Sequence, residues 1–220
     1  MDESLDDAVV DDIALGIVPR QRRGVEAREK LFQAAMREFE IRGVAGSRVE
    51  NIVAEVGISW GSFFRYFPRK EDVLLFGAAK HFREYMRPAY DAGMKDPELS
   101  TLDVALDLFS EMTQPRFAPR IHAAMMDETV RHPARFAAIL GEGELPIIRL
   151  FAGLIKEGQR RGEVRSEVDP FEAAIVIGAG VMFSTTRVLD AVADGHLPAS
   201  EIGGVARRAM DLVWVGLGAR

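Results

Sequence analysis

Apolar positions recur along this chain at intervals of three and four residues, and runs of strict apolar–polar alternation are absent. That is the period of an α-helix, not of a strand. The pattern predicts an all-α fold of about nine helices. The first spans 25–41, with Leu31, Phe32, Ala35 and Phe39 on one face and Gly43 as its stop. A second starts after Ser47, expected as its cap, and sets Val49, Ile52, Val53 and Val56 at i, i+3, i+4 and i+7. Gly57 ends it. Ser59 is expected to cap a short third helix through Tyr66, and Pro68 opposes its continuation. A long fourth helix is expected over 70–94. Five further segments follow at 100–113, 116–131, 133–161, 170–193 and 199–217, with Gly141, Gly143 and Pro146 expected to break or kink the 133–161 segment. The 170–193 segment is apolar nearly all round, which predicts burial on several sides.

Composition narrows the class without naming it. With 220 residues, 48% of them apolar and 28% charged, the chain is long enough for a sizeable core in one or two domains. It has no cysteine, which removes disulfide scaffolds, thiolate metal sites and thiol nucleophiles. The longest uncharged apolar run, Ala173 to Phe183, is too short for a membrane span of about 20 residues. The chain opens MDESLDD, with acids where an export signal carries bases, so a cytoplasmic protein is expected.

The net charge of −6 hides an uneven distribution. Residues 1–18 carry six acids and no base; residues 19–72 carry eleven Lys and Arg against eight Asp and Glu. A basic segment therefore follows an acidic tail, residues 1–19, which is expected to be loose. A local basic patch is what a polyanion meets, so the acidic total does not exclude nucleic acid. The run Pro19-Arg20-Gln21-Arg22-Arg23-Gly24 reads either as a solvated charge run or as an arm, with Arg20, Arg22 and Arg23 lying along phosphates or in a minor groove.

The two short helices joined by Gly57-Ile58-Ser59 read as a helix-turn-helix, at about 47–67. Glycine permits the tight turn, Ile58 fills the space between the helices, and Ser59 satisfies free amides. The following helix is then able to enter a major groove. From Gly43 to Asp72 the chain, and above all Ser-Trp-Gly-Ser-Phe-Phe-Arg-Tyr-Phe-Pro-Arg-Lys-Glu, resembles the DNA-binding domain of the TetR family of bacterial transcription regulators, over about 28–75. The resemblance implies a head at 20–72 and an effector-binding and dimerisation body at 73–220. It implies phosphate contacts from Ser47, Arg48 and Lys70, a base contact from Glu50, and base-facing Trp60, Gly61 and Ser62 behind the Ser59 cap. It also places Phe64 and Tyr66 against the sugar-phosphate backbone, with Ile52, Phe63 and Phe67 in the core. Two positions depart from the family. Phe64 replaces the usual tyrosine and lacks its hydroxyl, and Trp60 stands where polar or basic residues are common. Trp60 shares its i, i+3, i+4, i+7 spacing with Phe63, Phe64 and Phe67. It therefore reads either as part of the core stripe or as an exposed ring on a thymine methyl or a sugar.

No catalytic constellation stands out in the body. The histidines form no Glu-x-x-His pattern, and no phosphate-cradling glycine motif is present, so neither enzyme nor metal nor cofactor is expected. The resemblance implies a small-molecule cavity, for which the Met- and Phe-rich interior offers Met86, Phe109, Met112, Met126, Met182 and Phe183. Tyr85, His122 and Arg187 would supply its polar contacts. It also implies a homodimer through the last two helices, with Ala174, Ile177, Gly178 and Val181 on one stripe and Val205, Ala209, Leu212 and Val213 on the other. Two-fold symmetry would present two heads to a palindromic operator on double-stranded DNA. The function expected is a repressor released by a largely apolar effector. The alternatives are an effector-independent architectural DNA binder and a helical metabolite-binding enzyme or carrier. No membrane partner is expected.

Overall fold

The computed structural model describes residues 22–114, 116–141 and 146–217, and among them every regular element is helical. In chain order these are α1 (Arg22–Gly46), α2 (Val49–Val56), α3 (Trp60–Tyr66), α4 (Asp72–His81), α5 (Arg87–Gly93), α6 (Thr101–Thr113), α7 (Pro119–Arg131), α8 (Pro133–Leu140), α9 (Pro146–Arg161), α10 (Pro170–Ala193) and α11 (Glu201–Leu217). A π turn, Phe82–Met86, joins α4 to α5, so the single helix expected over 70–94 carries a bulge in its middle. The expected break in 133–161 occurs at Gly141, whose φ of 67° closes α8. α1 runs on to Gly46, but Gly43 sits inside it at φ 69°, ψ 162°, so regular helix stops where the sequence put it.

Two compact units emerge. The first holds residues 22–80 and 120–141, the second 81–114, 116–119 and 146–217. This partition differs from a boundary at 72/73, because 73–80 and 120–141 pack with the head. In the first unit, Leu31, Phe32, Ala35 and Phe39 of α1 are buried with Ile52 of α2 and Phe63 and Phe67 of the α3 segment. Phe63, Phe67, Phe76 and Phe32 form a chain of ring contacts with centroids 5.4–5.7 Å apart. Each fully buried phenylalanine contributes about 1.5–3 kcal/mol. Arg28 is buried in the same cluster with its guanidinium 4.1 Å from the Phe76 centroid, a cation–π contact. Gly77 lets α4 lie close to its neighbours: a Cβ there would stand 2.8 Å from Met125 Cε and 2.9 Å from Phe32 Cε2.

Ion pairs fasten α7 and α8 to the start of α4. Arg69 donates to Glu128 Oε1 at 2.8 Å. Asp72, fully buried, accepts from Arg135 Nε at 3.1 Å and Nη2 at 2.5 Å, and from the Arg69 amide at 2.9 Å. The partners lie about 60 residues apart in sequence, so no local pattern announced them.

In the second unit, Ser100 and Asp103 form a capping box at the start of α6. Thr101 then donates through both its amide and its hydroxyl to Glu163, at 2.8 and 2.6 Å. α10 packs between α9 and α11. By length and composition it is apolar enough to cross a membrane, more than its eleven-residue uncharged run suggested. Here Ala173, Ala174, Ile177, Val181, Val188 and Leu189 make it a packed helix of this unit. Asp169 caps it, accepting from the amides of Phe171 and Glu172.

His81 is buried beside Tyr85, with ring centroids 5.4 Å apart, and the Arg116 guanidinium lies 3.5 Å from the Tyr85 centroid. Burial, and then the Arg116 charge, push its pKa below the usual 6.5 against the opposing pull of Glu111. The unfolded chain therefore takes up a proton that the folded chain refuses as pH falls below about 6.5. Stability should fall across that window, by at most about 1.4 kcal/mol per pH unit, and level off below the folded-state value. Urea unfolding between pH 7.5 and 5 tests this, and His81→Asn should flatten the profile. An unchanged slope in that variant would assign the dependence to another group.

Candidate nucleic-acid interface

The turn between α2 and α3 is built as its residues dictate. Gly57 takes the left-handed conformation, φ 75°, ψ 34°, and its amide returns to Val53 O at 2.9 Å. A side chain there would be strained. Ile58, half-buried, follows, and its amide donates a hydrogen bond to the same carbonyl at 3.1 Å. Ser59 caps α3: its Oγ accepts from the Ser62 amide at 3.2 Å and pairs with Ser62 Oγ at 2.8 Å.

The cap of α2 corrects the sequence expectation. Ser47 is buried and donates its hydroxyl backwards to Val44 O at 2.7 Å; the N-cap position belongs to Arg48, without a side-chain cap. Glu38 of α1 does the work instead, accepting from the Arg48 amide at 3.2 Å and from Asn51 Nδ2 at 2.8 Å. Burial alone would raise its pKa, but these two bonds together with Arg42 hold it below the ordinary carboxylate value. An acid in α1 thus fixes the entry of α2, and nothing in the helical period marked it.

Inward, α3 presents Phe63 and Tyr66. Outward it presents Trp60, 55% exposed, then Gly61 and Arg65. The core placement of Trp60 is thereby excluded. Its ring leans on the half-buried Phe64, centroids 4.4 Å apart, and Phe64 leans on Phe63 at 5.2 Å. Arg65, which the sequence reading passed over, is exposed with its guanidinium 5.3 Å from the Tyr66 centroid. Arg48 and Glu50 are exposed at the front of α2. Lys70 donates to Ser47 O at 3.1 Å, which ties the segment leading into α4 to the entrance of α2. Tyr66, expected on the DNA backbone, is buried, because its position on the short helix faces the core. Of the basic arm, Arg20 lies outside the described residues; Arg22 and Arg23 begin α1, and their side chains lie outside them as well.

The residues expected to line a pocket are distributed over both units. Met86, Phe109 and Met112 are buried in the second unit, whereas His122 and Met126 are buried in the first. Met182 is half-buried. Phe183 is 70% exposed, Tyr85 lies exposed beneath Arg116, and Arg187 is exposed and paired with Asp190 at 2.5 Å. The stripe of α10 expected at a dimer interface faces inward in the single chain. Ala174, Ile177, Gly178 and Val181 are buried within their own unit, and a Cβ on Gly178 would stand 2.5 Å from Ile148 Cδ1 of α9. The exposed apolar positions are instead Phe171, Ile175, Val176 and Phe183 on α10, with Leu212 and Val215 on α11. Ala209 and Val213 are half-buried, and the Val205 side chain lies outside the described residues. Among the described residues no group of three or more His, Asp or Glu is placed to hold a metal ion.

A family model described as "Bacterial regulatory proteins, tetR family" matches residues 31–75, the segment that builds this geometry. Over 83 residues the chain is 32% identical to the uncharacterized HTH-type transcriptional regulator YdgC of Bacillus subtilis (strain 168), covering 38% of this chain and 42% of that protein. The match thus spans about two fifths of YdgC. The HTH-type transcriptional repressor BepR of Brucella suis biovar 1 (strain 1330) is 26% identical over 162 residues, 71% of this chain and 77% of that one. Among solved structures, the TetR-family transcriptional repressor FadR of Thermus thermophilus, in complex with lauroyl-CoA, superposes with a TM-score of 0.67. It covers 88% of this chain and 96% of that one at 22% identity, a likeness of fold. The capped turn and the outward α3 thus lie in a segment, residues 31–75, that matches the tetR family of bacterial regulatory proteins, and the chain as a whole is similar in fold to a TetR-family repressor.

Proposed function

We propose that this chain is a homodimeric, sequence-specific DNA-binding repressor of transcription, released by a small, largely apolar effector, and that it works in the cytoplasm. The observation that carries the DNA-binding reading is the outward face of α3. Trp60 and Gly61 project from a helix whose inner side is locked into the core, while Arg48 and Glu50 are exposed at the start of α2 and Lys70 donates to Ser47 O there. A helix so held enters a major groove as a rigid body, while the cations meet phosphate. Gly61 has open space around it, so a side chain there would meet solvent in the free protein and base edges in a groove.

Self-association is assigned to the exposed apolar positions of α10 and α11. Two copies paired there would present two α3 helices to half-sites about one helical turn apart. The effector reading draws support from the buried methionine and phenylalanine side chains of the body and from the fatty acyl thioester held by FadR. Release then needs a ligand that binds one arrangement of the dimer better than the DNA-bound one, and DNA must weaken ligand binding by the same factor. The chain is read as a regulator and not as an enzyme, as its relatives are.

Selection of bound fragments from genomic DNA by the full-length protein, followed by footprinting, tests the reading. A short palindrome is expected. Binding without sequence preference would favour an architectural protein. On the selected duplex, Lys70→Ala should weaken binding to all sequences alike and lower the slope of log affinity against log salt by about 0.9, one phosphate's share. An unchanged slope would remove Lys70 from the phosphate contacts.

A further inference from the structure

We propose that Trp60 reads a thymine methyl group in each half of the bound DNA, so that the protein distinguishes thymine from uracil, and 5-methylcytosine from cytosine, at that position. The proposal rests on the DNA-binding reading above.

Three observations lead to it. The indole stands 55% exposed in the first turn of α3, while Phe63, Tyr66 and Phe67 supply the core contacts of that segment. Its placement is fixed in advance: it rests on Phe64 at 4.4 Å, and Phe64 is braced by the fully buried Phe63 at 5.2 Å. Little ordering entropy then remains to be lost on contact with DNA. Finally, the polar groups of this turn are already committed. Ser59 accepts from the Ser62 amide, the two hydroxyls pair with each other, and Gly61 has no side chain. Arg65, five residues on, lies about 140° round the helix from Trp60.

Positions 60–62 therefore offer no amide or guanidinium for bidentate reading of a purine. What they offer is an apolar ring face with one N–H donor. In the major groove the matching feature is the thymine C5-methyl, which no other unmodified base presents. Arg48 is exposed at the start of α2, and Lys70 donates to Ser47 O at the same entrance, so the helix-turn-helix that carries this ring also carries cations suited to a polyanion. These features together commit the exposed ring to DNA.

The test starts from the duplex selected by the full-length protein. Each thymine in turn is replaced by deoxyuridine, which removes only the methyl group. One position per half-site should lose about fourfold in affinity, the value of one buried carbon at about 0.8 kcal/mol, and about fifteenfold when both halves are changed. At that position 5-methylcytosine should bind better than cytosine. Trp60→Ala should erase the thymine–deoxyuridine difference there and nowhere else, and Trp60→Phe should keep part of it. Should Trp60→Ala lower the melting temperature, Trp60→Gln, which keeps helix propensity but lacks the apolar face, should erase the difference equally. Deoxyuridine tolerated at every position by the unmutated protein, or an undiminished penalty in Trp60→Ala, overturns the proposal. Selection that enriches no sequence overturns the DNA-binding reading itself, and is told apart by weak binding to all duplexes.

Discussion

Phe183→Asp is expected to leave each subunit folded, convert the proposed dimer to a monomer and reduce operator binding by about a hundredfold or more. Phe183 is 70% exposed in the single chain and shares one face of α10 with Ile175, Val176, Ala179 and Gly180, all exposed. Because the ring already faces water, its replacement should change the stability of a subunit by no more than about 0.5 kcal/mol. In a two-fold pairing the substitution acts twice. Each copy loses about 1.5–3 kcal/mol of apolar burial, and two carboxylates must be desolvated close to each other. The sum disfavours association by about 6 kcal/mol or more, or four powers of ten in dissociation constant. A monomer grips a single half-site and forfeits the effective concentration that joins two, which accounts for the loss on DNA. Sedimentation, circular dichroism and mobility shift on the selected palindrome read the three parts separately. A monomeric unmutated protein at micromolar concentration, or a Phe183→Asp dimer, would sink the assignment. Gly178→Leu behaves differently: it drives a side chain into Ile148 within the same unit and so should damage folding first.

The contrast between Phe183 and Gly178 shows where sequence ceases to be informative. The helix-turn-helix was legible because its determinants are local. A stripe at Val49, Ile52 and Val53, a left-handed glycine at 57 and a serine cap at 59 act within ten residues of one another. α10 is apolar on nearly every side, so its period carries no phase. Choosing Ala174, Ile177, Gly178 and Val181 as the outer stripe picked the inner one, because small residues suit a close helix contact whether it lies inside a subunit or between two. Ser47 failed as a cap for a related reason. A serine before a helix is a good local guess, yet Glu38, ten residues upstream of Arg48, had the tertiary position to take the amide. The exposed Trp60 was expected from its place in the first turn of α3, although its spacing fitted the core stripe as well.

Arg135→Ala should destabilise the first unit by about 2–4 kcal/mol. The Asp72 carboxylate is fully buried and takes two hydrogen bonds from Arg135 and one from the Arg69 amide. Removing one partner of a fully buried pair costs about 3–5 kcal/mol, because a charge is left without compensation. Two features reduce the figure here: the Arg135 side chain is 41% exposed, and Asp72 keeps the Arg69 amide at the start of α4. The mechanism predicts a specific rescue. Asp72→Asn in the Arg135→Ala background removes the stranded charge while keeping an acceptor for the Arg69 amide, so the double variant should be more stable than Arg135→Ala alone. Urea denaturation of the four proteins of this cycle gives the coupling directly. Additive effects would reduce the pair to a surface contact. A large coupling would mean that α8 holds the first turn of α4, two residues after the lysine assigned to phosphate, so operator affinity should fall with the ion pair even under conditions where the variant remains folded.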